Sequence, residues 1–175
     1  MKSRAFEINI YWLSILFSAL IFSGVVMADP LINLKKVGEA KLKVLFWDVY
    51  NSSLYSQTGE YQLEQFPQAL KISYLRDIEA EDLIERTQDE WKKLGIKKET
   101  FKPWIPLLNN IFPDIKKGDI LLLSVNEEFD SEFFFNGQSI GKIADKTFGK
   151  SFLRIWLDEN CSYPKVRNQL IGLNK

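Results

Sequence analysis

The hydrophobic period of this chain changes in a fixed order, and that order limits the architectures open to it. From Ala40 to Tyr55 it reads as two consecutive β segments, with alternation at Leu42, Val44 and Phe46 and later at Leu54. Ala69 to Leu75 is a further strand with Leu70, Ile72 and Tyr74 on one face. A helix is predicted from Glu79 to Leu94, because Ala80, Ile84, Thr87, Trp91 and Leu94 recur at three- and four-residue spacing and Gly95 supplies a stop. A second helical segment, Thr100 to Phe112, has Thr100 as a cap and Pro113 as its end, with Pro103 and Pro106 near its start. The two-residue period then returns in Ile120–Val125 and Ser131–Phe135, and Asn136-Gly137 predicts a tight hairpin because both residues tolerate positive φ. Asp145 is placed to cap a helix carrying Phe148, Phe152, Ile155 and Trp156 on one face, and Pro164 can open a last short helix ending near Gly172. Strands, two helices, strands and two helices make an α+β layer fold in which helices cover one face of an antiparallel sheet. No repeat or Pro/Gly-rich linker divides residues 35–175.

The segment ahead of this pattern has another character. Lys2 and Arg4 precede an apolar run from Ile8 to Val26 that closes on Val26-Met27-Ala28, the pattern of a signal peptide cut before Asp29. The run also approaches the length of a membrane span, about 17–25 residues, so an uncleaved anchor is the alternative. Residues 1–28 are therefore expected to be a signal peptide and 29–175 one exported domain, periplasmic or secreted, with no stable membrane anchor after cleavage.

Composition removes several kinds of chemistry. The chain has 0 histidines and 1 cysteine, Cys161, which excludes Ser-His-Asp and Cys-His catalysis, an intramolecular disulfide and zinc sites built on those residues. No metal and no cofactor are expected. Basic and acidic residues balance at 23 each with no basic run, which argues against a nucleic-acid partner.

Four segments, VGEAKLKVLFWDVYNSSLY, LIERTQDEWKKLGI, KKGDILLLSVNEEF and FFFNGQSIGKIADKTFGKSFLRIWL, are spread in order over about residues 38–173. In order and spacing they resemble the chalcone isomerase-like family, which includes plant chalcone isomerases, fatty-acid-binding relatives in plastids and exported bacterial proteins. The resemblance implies an open-faced β-sandwich, an antiparallel sheet with helices on one face and a ligand cleft between the two layers. It also implies a site, and there this chain departs from the enzymes. The catalytic arginine of the first long strand falls near Ala40 or Lys41 and the threonine of the next strand on Tyr50. The helical tyrosine, lysine and asparagine fall at Glu79, Asp82 and Arg86, and the late threonine at Ile155. Ring closure of a phenolate onto an enone needs an anion held and an enolate stabilised by donors, and acids at Glu79 and Asp82 repel both. Chalcone isomerisation is accordingly not expected.

Tyr50 has two readings: a phenol that donates to a ligand headgroup, as in the fatty-acid-binding relatives, or a strand tyrosine with its hydroxyl at the surface. Lys41 either attracts the headgroup or belongs to a solvated face, alternating with Leu42. Arg86 is either a compensating cation for the cleft or a partner in surface ion pairs with Glu79, Asp82, Glu85 or Asp89. Glu79, Asp82, Leu83 and Arg86 share a helix face at i, i+3, i+4 and i+7. Phe133, Phe134, Phe135 and Trp156 either line an apolar pocket or fill the core. The leading expectation is a non-catalytic protein binding a fatty acid or other apolar small molecule through Tyr50, Lys41, Leu83, Arg86 and Trp156. The alternatives are an isomerase or intramolecular lyase, with Tyr50, Glu79 and Lys41 as acid, base and anion holder, and a scaffold whose cleft is filled by its own side chains.

Overall fold

Six strands pair in sequence order into one antiparallel sheet: β1 (Lys35–Val44), β2 (Trp47–Ser56), β3 (Gln68–Tyr74), β4 (Ile120–Val125), β5 (Ser131–Phe135) and β6 (Gln138–Ile143). The computed structural model describes residues 29–173, so the signal-peptide reading of residues 1–28 falls outside them. The two neighbours β3 and β4 are joined by a helical excursion of α1 (Ala80–Lys93), α2 (Lys98–Phe101), a 3₁₀ turn (Lys102–Trp104) and α3 (Ile105–Ile111). After β6 come α4 (Phe148–Leu157) and α5 (Pro164–Leu170). This is the α+β open-faced arrangement that the order of periods requires.

Alternation sets which face is covered. Leu70 opposite Leu123 and Ile72 opposite Leu121 are all buried, and Tyr74, Val125 and Phe133 extend the same inward face. The opposite face carries half-buried Lys71, Ser73 and Ser124, with Leu122 buried among them. The Phe133–Phe135 run alternates likewise: Phe133, opposite Leu123, is in the core and half-buried Phe135, opposite Leu121, packs against it, while Phe134, opposite Leu122, lies on the other face.

Helix α1 presents Ile84, Thr87 and Trp91 inward as its spacing predicts. Trp91 lies 5.2 Å from the Trp104 ring and 6.1 Å from Phe148 in edge-on contacts, and its indole N–H donates to the Ser151 carbonyl at 2.9 Å. The second helical segment differs from the continuous helix expected over 100–112. It starts at Lys98 and breaks into two short helices around a 3₁₀ turn, because Pro103 and Pro106 remove amide donors and crowd the preceding turn. Asp145 is likewise not the cap residue of α4, a position held by Thr147. Its carboxylate accepts from the Thr147 N–H and hydroxyl and from the Trp104 indole at 2.8 Å, so it ties the approach to α4 to the aromatic cluster. Burial opposes ionisation of Asp145, but these donors outweigh it and hold the carboxyl below its ordinary range.

Two local features shape one end of the sheet. Helix α5 lies directly on β1 at Gly38, where a Cβ would sit 2.2 Å from the Gln169 carbonyl oxygen, a backbone contact that cannot rotate away. The β1–β2 register also slips at Val49, since Leu42 faces Tyr50 while Lys43 faces Asp48. This bulge brings Val49 to the helix side beside Tyr50, which is already there in step with Leu54, and sends Asp48 to the outer face. The hairpin tip that follows, Leu45-Phe46, puts Leu45 at φ 54°, a left-handed conformation that costs a leucine about 1–2 kcal/mol.

Candidate functional site

The two layers separate between β1–β4 and helices α1, α4 and α5, enclosing a cavity of about 600 Å³. Its sheet wall is Tyr50, Ile72, Tyr74 and Leu121; α4 adds Phe152, Ile155 and Trp156, and α1 adds Leu83 and Arg86. Val166 of α5 and the loop residues Cys161 and Tyr163 also line it. Tyr50, Ile72, Tyr74 and Leu121 all sit on the inward parity of their strands, Tyr50 in step with Leu54 and directly opposite Leu42 and Tyr74, and the bulge adds Val49 beside it.

The polar groups inside are few and have definite states. The Tyr50 hydroxyl accepts from the Trp156 indole N–H at 2.8 Å, a bond spanning 106 residues of sequence. Burial pushes the Tyr50 phenol well above its ordinary pKa of 10.0, a rise that the Trp156 donor only partly offsets. Tyr74 stands edge-on to Tyr50 at 6.1 Å, is 2% exposed and is pushed up by burial in the same way. Both phenols therefore stay neutral near pH 7 and keep a proton to donate. No protein group hydrogen-bonds the Tyr74 hydroxyl among the described residues. Glu90 is buried with both oxygens engaged, by Lys93 at 2.8 Å and by the Ser162 hydroxyl at 2.5 Å. Burial raises the Cys161 thiol above its ordinary pKa, which leaves it a poor nucleophile.

The rim is charged in both signs. Asp77 accepts from the Lys117 amide at 2.8 Å and pairs with Lys116, which together hold its carboxyl low, and Asp89 pairs with Lys92 at 2.9 Å. Asp82 and Glu85 line the cavity without an ion pair among the described residues, as do the two cations Arg76 and Arg86. The Arg76 guanidinium sits over the Trp47 ring, 5.6 Å from its centre.

The structure gathers Tyr50, Leu83, Arg86, Trp156, Asp82 and Ile155 around this cavity. It does not bring Lys41 or Glu79 there. Lys41 lies on the outer face of β1 and pairs with Asp48 at 3.0 Å, the solvated alternative for that residue, because the strand's inward parity belongs to Ala40 and Leu42. Glu79 is exposed at the N-cap of α1. The acid, base and anion holder expected of an isomerase at Tyr50, Glu79 and Lys41 are thus dispersed. Arg86 makes no ion pair with Glu79, Asp82, Glu85 or Asp89 within bonding distance. Tyr50 carries its hydroxyl inward to Trp156, contrary to the surface alternative. Sequence reasoning missed Arg76 and Tyr74 as wall residues, although both follow Ile72 at two-residue steps. It also missed Glu90, one helical turn beyond Arg86.

Such a cavity can enclose an apolar body, donate hydrogen bonds from neutral phenols and offer guanidinium charge at its mouth. Known proteins supply the context. The model of the family described as chalcone isomerase-like matches residues 31–172. An uncharacterized protein of Haemophilus influenzae is 27% identical over 149 residues, covering 85% of this chain and 73% of that protein. The crystal structure of a fatty-acid binding protein of Arabidopsis thaliana is similar in fold, with a TM-score of 0.61 at 12% identity over 81% of this chain and 88% of that one. With the sheet order, the cleft position and a match spanning nearly all described residues, the chain belongs to the chalcone isomerase-like family.

Proposed function

We propose that this protein is a non-catalytic binder of a fatty acid or other apolar acid, held between sheet and helices, and that it acts after export to the periplasm or beyond. The observation that carries the reading is the cavity of about 600 Å³, walled by Ile72, Leu121, Phe152 and Ile155 yet holding the neutral Tyr50 and Tyr74 phenols. Its size falls in the ordinary range for small-molecule sites, about 300–1,000 Å³. An open volume of that size favours a binding role over a scaffold with a filled cleft. An ionised carboxylate is costly to bury without a countercharge. Arg86 and Arg76 supply that charge in place of Lys41, and Tyr50 and Tyr74 donate along the wall. A fatty-acid binding protein among the structural relatives fits this reading. The absence of histidine and the neutral state of both phenols leave no free base deep in the cleft, which favours binding over turnover.

Organic extraction of natively purified protein, followed by mass spectrometry, tests the proposal. A stoichiometric apolar acid in the wild type, reduced in Tyr50→Phe and in Arg86→Gln but unchanged in Lys41→Ala, is the expected result. A protein that is empty and also fails to take up an added long-chain fatty acid contradicts it.

A further inference from the structure

The β1–β2 hairpin tip carries the largest contiguous set of exposed apolar side chains among the described residues. Leu45 is 87% exposed, Phe46 96%, Trp47 63% and Val44 39%. Soluble proteins seldom leave consecutive large apolar residues in water unless they meet a partner. Here the local backbone adds to the case. A two-residue hairpin turn with positive φ at its first position favours glycine, yet leucine stands there at φ 54° with its side chain almost wholly exposed among the described residues. The strain brings no burial within the fold.

We infer that this tip is a docking surface for an anionic phospholipid bilayer, through which the cleft exchanges its apolar ligand with the membrane; the exchange step rests on the binding role proposed above. Shape is the first support, because the residues project from the end of a hairpin instead of forming a flat or concave face, and a projecting wedge of Leu, Phe and Trp suits insertion among headgroups and upper acyl chains. Charge is the second. Lys41, Lys43 and Arg76 flank the tip; of the acids beside them, Asp48 pairs with both lysines at 3.0 and 3.2 Å and Asp77 pairs with Lys116, so the cations still outnumber these acids beneath the apolar residues. Arg76 lies over Trp47, the residue type that settles at a membrane–water boundary. Position is the third: Val44 of the tip and Val49 and Arg76 beside it line the cleft itself, so an apolar molecule leaving a bilayer at the tip reaches the cavity without crossing open water.

Vesicle flotation decides the matter, comparing the purified protein with a Leu45→Ser/Phe46→Ser variant of the same length, so that any contribution of the N-terminal apolar segment cancels. Vesicles of phosphatidylcholine and phosphatidylglycerol in equal parts are expected to carry the wild type, with partitioning reduced about tenfold or more in the variant and weakened on phosphatidylcholine alone. Near-ultraviolet circular dichroism confirms that the variant is folded, since both residues are solvent-exposed. Equal flotation of the two proteins, or none of the wild type, overturns the inference. So does a dimer in analytical ultracentrifugation that the variant abolishes, because the tip would then face a second copy. Extraction mass spectrometry on the same samples separates the two claims. A tip that binds vesicles beside an empty cleft overturns the ligand role alone, and a filled cleft without vesicle binding overturns the membrane role alone.

Discussion

The two ends of the space between sheet and helices are built from the same elements and finish differently. At one end Trp91 of α1, Trp104 of the 3₁₀ turn, Phe148 and Phe152 of α4 and Phe133 of β5 form one aromatic cluster, mostly edge-to-face at 5.2–6.3 Å, with Phe148 stacked on Phe152. At the other end α1 faces the sheet with Leu83 and Arg86, α4 with Ile155 and Trp156, and the layers stand apart around the Tyr50–Tyr74 pair. Two turns of α1 separate Leu83 from Trp91, and over that distance a branched aliphatic is replaced by an indole. The cleft thus follows from side-chain volume on an otherwise regular layer pair. The packed end fixes the helices so that the other end can remain open, much as a functional site is held by a rigid support.

Trp91→Ala breaks the packed end and is expected to have the largest effect, a loss of about 3–5 kcal/mol in stability by denaturant titration, because the ring is fully buried and its indole bond is lost as well. Gly38→Ala comes next, at about 1–3 kcal/mol, since the added methyl pushes α5 off β1; ligand retention is expected to fall too, because Val166 of α5 lines the cavity.

Alkaline titration probes the open end. For Tyr50 and Tyr74 the folded pKa is raised above the free value of 10.0, so the unfolded chain loses these protons first. Their contribution is complete below about pH 10 and declines above it, by about 1.4 kcal/mol per pH unit for each phenol. Tyr74→Phe should flatten that decline by one phenol in thermal melts taken across the range, and an unchanged slope would mean that Tyr74 is not held neutral. Trp156→Phe removes the donor to Tyr50 and is expected to cost about 1 kcal/mol while weakening ligand retention clearly, a ratio opposite to that of Trp91→Ala. Lys41→Ala, on the outer face, is expected to leave ligand retention unchanged.

Much of the frame was legible because it depends on local period. Leu70, Ile72 and Tyr74, the α1 stripe and Asn136-Gly137, with φ of 49° and 84°, each follow from neighbours in sequence. The α+β sheet and the family resemblance are borne out on those residues. What escaped depends on pairing across the fold. The bulge at Val49 is a property of two strands and leaves no mark on one, yet it decides that Val49 joins Tyr50 at the cleft while Asp48 turns outward. The Trp156 bond to Tyr50 joins the ends of the domain and has no local signature. Lys41 shows the reverse case, where simple alternation pointed outward and alignment to a family arginine pointed inward, and the strand follows alternation. The proline-broken second helix lost its continuity to two residues whose effect on backbone donors is local, but the bond from Trp104 at the break to Asp145 spans the fold.

Whether the open end holds the ligand is decided by a cleft-filling substitution. Leu83→Trp puts at the cleft the kind of side chain that closes the packed end, and binding of a fluorescent long-chain fatty acid is then measured by titration in wild type and variant. One molecule is expected to bind to the wild type and none to Leu83→Trp, with stability unchanged or slightly raised. Equal binding by the two proteins would mean that the ligand sits elsewhere and that this cavity is not the site.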